Sequence, residues 1–286
     1  MAKKKRRKKN NRLIPVLVAI VLIIVIGGVA LGSLFLSKYS YSDEKKDLAE
    51  YYNITKADEV AIVLQNEHIE TKGKLSQGKV YLDFDSVQNL LNARFYHDAT
   101  ERLLLYTTPA EIIRTSIGSD EYAIGEETIN VGYVISFYEG ETLYVALDYV
   151  RNYTNFSYEL FFEPNRMQLT TQWDETTEAT IKKNTQIRYR GGVKSEILRE
   201  VEKGEKITVL EKLENWAKVK TSDAFIGYVP SKVLKEEATF VPNVEPNYVE
   251  PEYTSLTRDY KINLGWHQVM SVAANDTLSS VVMANS

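Results

Sequence analysis

The 286-residue sequence offers few residue types for chemistry. It has no cysteine, so disulfides, thiolate metal sites and thiol nucleophiles are excluded. Its three histidines, His68, His97 and His267, are scattered along the chain and lack a metal-ligand spacing. No metal or other cofactor is therefore expected. Asp83, Asp85 and Asp148 are the carboxylates that could be offered for acid–base work. Each stands at the start of a short helical run, SVQNLLN or YVRNYTN. A carboxylate there accepts the free N–H groups of the first turn, so Asp85 and Asp148 are expected to be N-caps. No residue is assigned a catalytic role. A second group, Arg188, Tyr189, Trp216 and Tyr228, joins a guanidinium to three aromatic faces. A guanidinium can pair with a carboxylate, and aromatic faces offer contact surfaces where they are exposed. In the plainer alternative, Trp216 and Tyr228 cover a barrel core, and Arg188 and Arg190 are solvated charges.

The elements that would position these residues begin at a membrane. Eight of the 35 Lys and Arg lie in residues 1–12, and no Asp or Glu occurs before Asp43. The formal net charge of −4 thus divides into +8 at the amino terminus and −12 beyond it. Residues 13–36 carry no charge, and about 20 apolar residues suffice to cross the hydrocarbon core. A transmembrane helix is expected over 13–37, with the basic tail cytoplasmic and the remainder outside. Such a basic run sets topology and touches anionic lipid; no nucleic-acid partner is expected. A cleaved signal peptide is the competing reading, but signal cores are shorter, about 7–15 residues. A chain of this length outside the membrane without cysteine points to a bacterial surface, Gram-positive by preference, rather than an oxidising secretory compartment.

Residues 38–57, polar and Tyr-rich, read as a stalk. From 58 to 172, short alternating runs are divided by turn signals, as in DEVAIVLQNEHI. Residues 78–108 repeat at 141–171 without a gap at an offset of 63. This register pairs Tyr81 with Tyr144, Asp85 with Asp148, Asn89 with Asn152 and Phe95 with Tyr158. Each copy reads strand, short helix, strand, strand. This layout resembles the copper amine oxidase N-terminal-like domain of bacterial envelope proteins. The resemblance implies a spacer or interaction domain, with no copper or oxidase chemistry.

Residues 178–236 contain the IRYRGG turn (187–192), ITVLE, NWAKVK (215–220) and FIGYVPSKVL (225–234). Gly191, Gly192 and Gly204 are expected at positive φ. Ile207 and Val209 should alternate inward, as should Ala217 and Val219. Gly227 should permit a tight approach before Pro230 ends its strand. This segment resembles a bacterial SH3 (SH3b) domain, a small barrel of five or six strands. The resemblance implies a groove for peptidoglycan peptides or cell-wall polymers, for which Trp216, Tyr228, Tyr189 and Arg188 are the candidate residues.

Residues 237–256 hold three of the seven prolines and read as an extended spacer. Beyond it, YKINLGWHQV (260–269) is expected as one strand followed by a helix. It resembles the opening strand of the (β/α)8 barrel in family 18 glycoside hydrolases. That family needs a DxxDxDxE motif, which these 286 residues do not contain. The expectation is an α+β, mainly β chain with an N-terminal helix, a duplicated domain, an SH3-like barrel and a truncated first β/α unit. Functionally it is a single-pass, membrane-anchored module that binds peptidoglycan or cell-wall glycan, the non-catalytic front of a hydrolase-like envelope protein. The alternatives are an active glycosidase, should the chain continue beyond Ser286, and a protein-binding scaffold. Oligomeric state is not legible.

Overall fold

The computed structural model describes residues 13–109, 111–251, 262–263 and 269–270. The expected cytoplasmic tail, 1–12, lies outside them, as do Trp266 and His267. The chain is mainly β with a few helices. Helix α1, Leu13–Tyr39, is the long one. Helix α2, Leu48–Tyr51, is a single turn whose first N–H groups, those of Ala49 and Glu50, are accepted by the Asp47 carboxylate.

The duplicated domain begins with β1 (Glu59–Leu64), β2 (Glu67–Ser76) and β3 (Lys79–Asp83). Helix α3 (Phe84–Ser86) and a π turn follow, then β4 (Phe95–Asp98) and β5 (Leu103–Thr107). A three-strand excursion, β6 (Ile112–Ser116), β7 (Glu121–Ile124) and β8 (Glu127–Asn130), extends β4 and β5 into a five-stranded sheet. The chain returns through β9 (Ser136–Glu139) and β10 (Thr142–Ala146). Helix α4 (Leu147–Val150), β11 (Ser157–Phe161) and β12 (Arg166–Thr170) complete the unit. The larger sheet has the order β11-β12-β1-β2-β3-β10-β9.

The duplication is visible in the strand register. Strands β3 and β10 have bounds 63 residues apart, and so do β5 and β12. Phe95 faces Tyr106 in one copy, and their counterparts Tyr158 and Leu169 face each other in the second. Strands β3 and β10 pair antiparallel with Leu82 opposite Val145, its own counterpart. A local two-fold axis therefore passes between the copies at this pair, and both side chains are fully buried.

The cap expectation needs correcting. Asp83, not Asp85, caps α3, accepting from the Ser86 N–H at 2.9 Å. Asp85 lies one residue inside the first copy's helix and is exposed. Helix α4 starts from Ala146 with no side-chain cap. Asp148 instead accepts from Lys79 Nζ and from the Tyr158 hydroxyl, each at 2.6 Å.

The barrel sheet runs from β13 (Thr176–Ile181) through β14 (Thr185–Arg188), β15 (Ile197–Val201) and β16 (Lys206–Lys212). It continues with β17 (Trp216–Thr221), β18 (Ile226–Pro230) and β19 (Leu234–Phe240). These seven strands take the order β15-β14-β18-β17-β16-β13-β19, one or two more than expected. Ile207, Val209, Ala217 and Val219 point inward as their alternation requires. A Cβ on Gly227 would lie 2.5 Å from Ile187 Cγ2 and 2.6 Å from the Arg188 carbonyl, so the strand crossing demands glycine. Gly204 has φ +93°, whereas Gly191 and Gly192 are not at positive φ.

Three expected spacers are built into the fold. The stalk is not free: Lys45 bridges to Ile197 beside β15, and Ser42 N donates to Val193 O at 2.8 Å. Tyr52 is buried in the barrel core together with Ala61 and Val63 of β1, while Val60 and Ile62 face the duplicated core. Strand β1 thus has both faces covered, which is why VAIVL is continuously apolar and not alternating. The two modules are joined further by Arg166, 4% exposed, which donates to the Asp223 carbonyl and carboxylate at 2.8 and 3.2 Å. The proline segment is extended but docked. Asn247 donates to Arg151 O and Thr154 O at 2.8 and 2.9 Å and accepts from Phe156 N at 3.0 Å. Arg94 also pairs with Glu250. The single strand expected over 260–269 is instead two short strands, β20 (Ile262–Asn263) and β21 (Val269–Met270), paired antiparallel. The rest of the segment expected to form a β/α unit lies outside the described residues.

Candidate binding surface

Strands β17 and β18 place the aromatic residues. Ala217, Val219 and Val229 fill the core, so the alternate positions, Trp216, Lys218 and Tyr228, face outward and are half-buried. Tyr228 lies opposite Lys218, one step diagonal from Trp216, close enough for long rings to share a surface. The loop after β14 crosses over this surface at Gly191. A Cβ there would meet Trp216 Cγ at 3.4 Å and Tyr228 Cδ1 at 3.5 Å. The loop backbone at Gly191 thus lies at van der Waals contact with both rings.

Tyr189, 36% exposed, stands at the edge of this loop. Its ring meets Tyr51 edge-on at 5.7 Å and is flanked by the Arg190 guanidinium at 5.1 Å and Lys46 Nζ at 5.8 Å. Lys46, Glu50, Tyr189, Arg190, Lys194 and Glu196 line a groove of about 640 Å³. The loop after β14 thus carries Tyr189 at its edge and lays Gly191 against Trp216 and Tyr228.

Arg188 does not join them. It is 1% exposed and its guanidinium is engaged within the protein. Nη1 donates to Ser42 O at 2.9 Å and Ser195 O at 2.5 Å, and Nη2 donates to Gln186 Oε1 at 2.5 Å. The group lies 4.9 Å from the Tyr41 ring centre, and burial pushes its pKa below the ordinary guanidinium value. Arg188 thus fastens the segment that follows α1 to the barrel, and it is removed from the ligand-binding candidates.

Tyr51 was missed because it falls within the expected stalk. Its hydroxyl donates to Ile226 O at 2.9 Å. Burial, with Tyr189 and Tyr228 nearby, pushes its pKa up to about 12. The available signal was DLAEYY, an N-cap aspartate followed by one turn ending in two aromatics. On the same outer face, Lys220 donates to Gln65 O at 2.7 Å, and burial pushes its ammonium pKa down to about 8. It braces the β1–β2 turn against the barrel.

Residues 183–235 match the bacterial SH3 domain family, so this part of the chain is a bacterial SH3 domain. Among solved structures, NlpC1 from Trichomonas vaginalis bears a loose likeness, with 12% identity and a TM-score of 0.21. The match covers 50% of this chain and 44% of that one, so the chain spans less than half of NlpC1. No curated protein matches the sequence. The family match is confined to the barrel and lends no support to the copper amine oxidase-like or family 18 resemblances.

Proposed function

We propose that this chain is a cell-envelope protein, held in a membrane by α1, whose SH3 domain binds peptidoglycan or a related wall polymer. The observation that carries the binding part is the outward aromatic surface of Trp216, Tyr228 and Tyr189, assembled around Gly191 on a bacterial SH3 barrel. Rings offered in this way stack on sugar or peptide planes. The anchor part is supported by Val16–Tyr39, whose mean hydropathy is 2.9 and whose side chains the rest of the protein leaves uncovered. Ile23 and Leu31, for example, are 69% and 70% exposed. Water alone would make so large an apolar surface costly. The duplicated domain is the platform that holds the barrel through Arg166, Tyr52 and Lys220. No observation on the described residues favours a glycosidase.

The test is co-sedimentation of the full chain, in detergent, with purified peptidoglycan. The wild type should pellet with the polymer. Tyr189→Ala should lower retention about tenfold, the loss of roughly one good ring contact. Trp216→Ala should lower it at least as far. Tyr189 is the cleaner probe because its ring is not beneath a loop. Equal retention of wild type and both variants, or none of the wild type, overturns the reading.

A further inference from the structure

Helix α1 ends at Tyr39, and the barrel takes hold of the chain at the next residue. Lys194 Nζ donates to Ser40 Oγ at 3.2 Å, and Ser42 N donates to Val193 O. A free 20-residue stalk could have carried the barrel roughly 65 Å from the membrane. Instead the 189–196 loop is tied to the point where the chain leaves the helix. Given the anchor reading above, on which this inference rests, the loop stands at the level of the lipid headgroups. Lys38 in the last helical turn, with Tyr39 and Tyr41, supplies the residue types that occupy that layer.

The charges of the 640 Å³ groove then sort into two sets. Lys46 is paired with Glu50 at 3.0 Å and Glu196 at 3.8 Å, so the two acids of the lining are engaged. Asp47 is occupied in capping α2. Arg190 and Lys194 have no carboxylate within 4.0 Å among the described residues, and Asp43 and Glu44 of the adjacent segment make no ion pair with either. Arg190 lies over Tyr189, and Lys194 has only the neutral Ser40 hydroxyl. Two cations without counter-charge, beside a half-open aromatic wall, fit a phosphate. The chain beyond residue 12 carries a net charge of −12, so an anionic bilayer repels it in general. Attraction must come from a site within about one Debye length, roughly 10 Å, of the surface. This loop meets that condition.

We propose that Arg190 and Lys194, on the wall of this groove, bind the phosphate-bearing headgroup of an anionic lipid in the bilayer that holds α1. The headgroup clamps the SH3 domain to the membrane surface and fixes the direction in which Trp216 and Tyr228 face.

Hydrogen exchange of the full chain in lipid nanodiscs tests this. One set of discs is phosphatidylcholine alone and the other contains about one-third phosphatidylglycerol, enough to give a negative surface potential. Amides of Tyr189–Glu196 should exchange several-fold more slowly in the anionic discs, and Arg190→Gln/Lys194→Gln should abolish that difference. Neither side chain makes an ion pair, and the Ser42 N to Val193 O bond still ties the loop to the chain after α1 when the Lys194–Ser40 contact is lost, so the variant should keep the native exchange pattern elsewhere. Equal loop exchange in the two compositions, with α1 amides protected in both, overturns the lipid site and leaves the anchor standing. Unprotected α1 amides overturn the anchor and this inference with it. Slowing in neutral discs on adding inorganic phosphate shows an anion site that is not a lipid site, and overturns the assignment.

Discussion

The two copies of the repeat share a backbone and differ in their polar chemistry. Strand bounds and cross-strand partners recur at an offset of 63 residues. Yet Asp85 and Asp148, equivalent in that register, have different surroundings. Asp148 is held by Lys79 across the two-fold and by the hydroxyl of Tyr158. The residue equivalent to Tyr158 in the first copy is Phe95, which has no hydroxyl, and Asp85 faces solvent. The helix cap is likewise found in one copy only, since Asp83 corresponds to Ala146. A shared register thus transmits the fold, because apolar alternation is common to both copies. It does not transmit function-like constellations, which depend on single side chains that have diverged.

This contrast can be broken most forcefully at the axis. Leu82→Ala should cost about 2–5 kcal/mol, read from denaturant unfolding of the full chain in detergent. Val145→Ala, which removes one buried carbon fewer, should cost about 1.5–3 kcal/mol. The two face each other, so the double variant should depart from additivity by more than about 0.5 kcal/mol. Strict additivity would mean that the copies do not lean on one another there.

A smaller effect sharpens the difference between the aspartates. Asp148→Asn should destabilise by about 1–2 kcal/mol, whereas Asp85→Asn should stay within about 0.5 kcal/mol of wild type. Burial alone would raise the Asp148 pKa, but Lys79 and Tyr158 outweigh it and hold the carboxyl below its ordinary range. A depressed folded-state pKa means that the stabilisation is complete above the unfolded value, about 4. It is lost as pH falls through the lower folded value. The gap between wild type and Asp148→Asn should therefore close on acidification, and a gap that widens would refute the pairing. Smallest of all, Tyr158→Phe makes the second copy resemble the first. It should cost about 1 kcal/mol, with no further loss when added to Asp148→Asn.

Much of the fold was legible because it is periodic. The repeat was found from matched apolar and tyrosine positions, and the barrel from alternation around ITVLE and NWAKVK. The outward direction of Trp216 and Tyr228 followed from the same period of two. What escaped has no period. Arg188 reads as a surface charge because it stands beside Tyr189 and Arg190 in a turn, and its two backbone partners, Ser42 O and Ser195 O, come from a distant segment and an irregular loop. Tyr51, Tyr52 and Asn247 lie in segments whose polar composition resembles linkers. Each is fixed by hydrogen bonds across more than 90 residues, as in the Tyr51 bond to Ile226 O and the Asn247 contacts at 151–156.

From sequence alone came the uncharged N-terminal span, the 63-residue duplication, the SH3 barrel and the facing of its strands. These depend on local alternation and helical length, which short-range sterics and burial impose wherever a strand or span occurs. Tertiary structure alone decided that the stalk is an edge of the barrel and that β1 is shared by two cores. It also decided that the aspartates are unequal and that the 189–196 loop is tied to the end of the long apolar helix. Those outcomes arise from individual contacts between remote parts of the chain, and the closing of such contacts leaves no trace in the order of neighbouring residues.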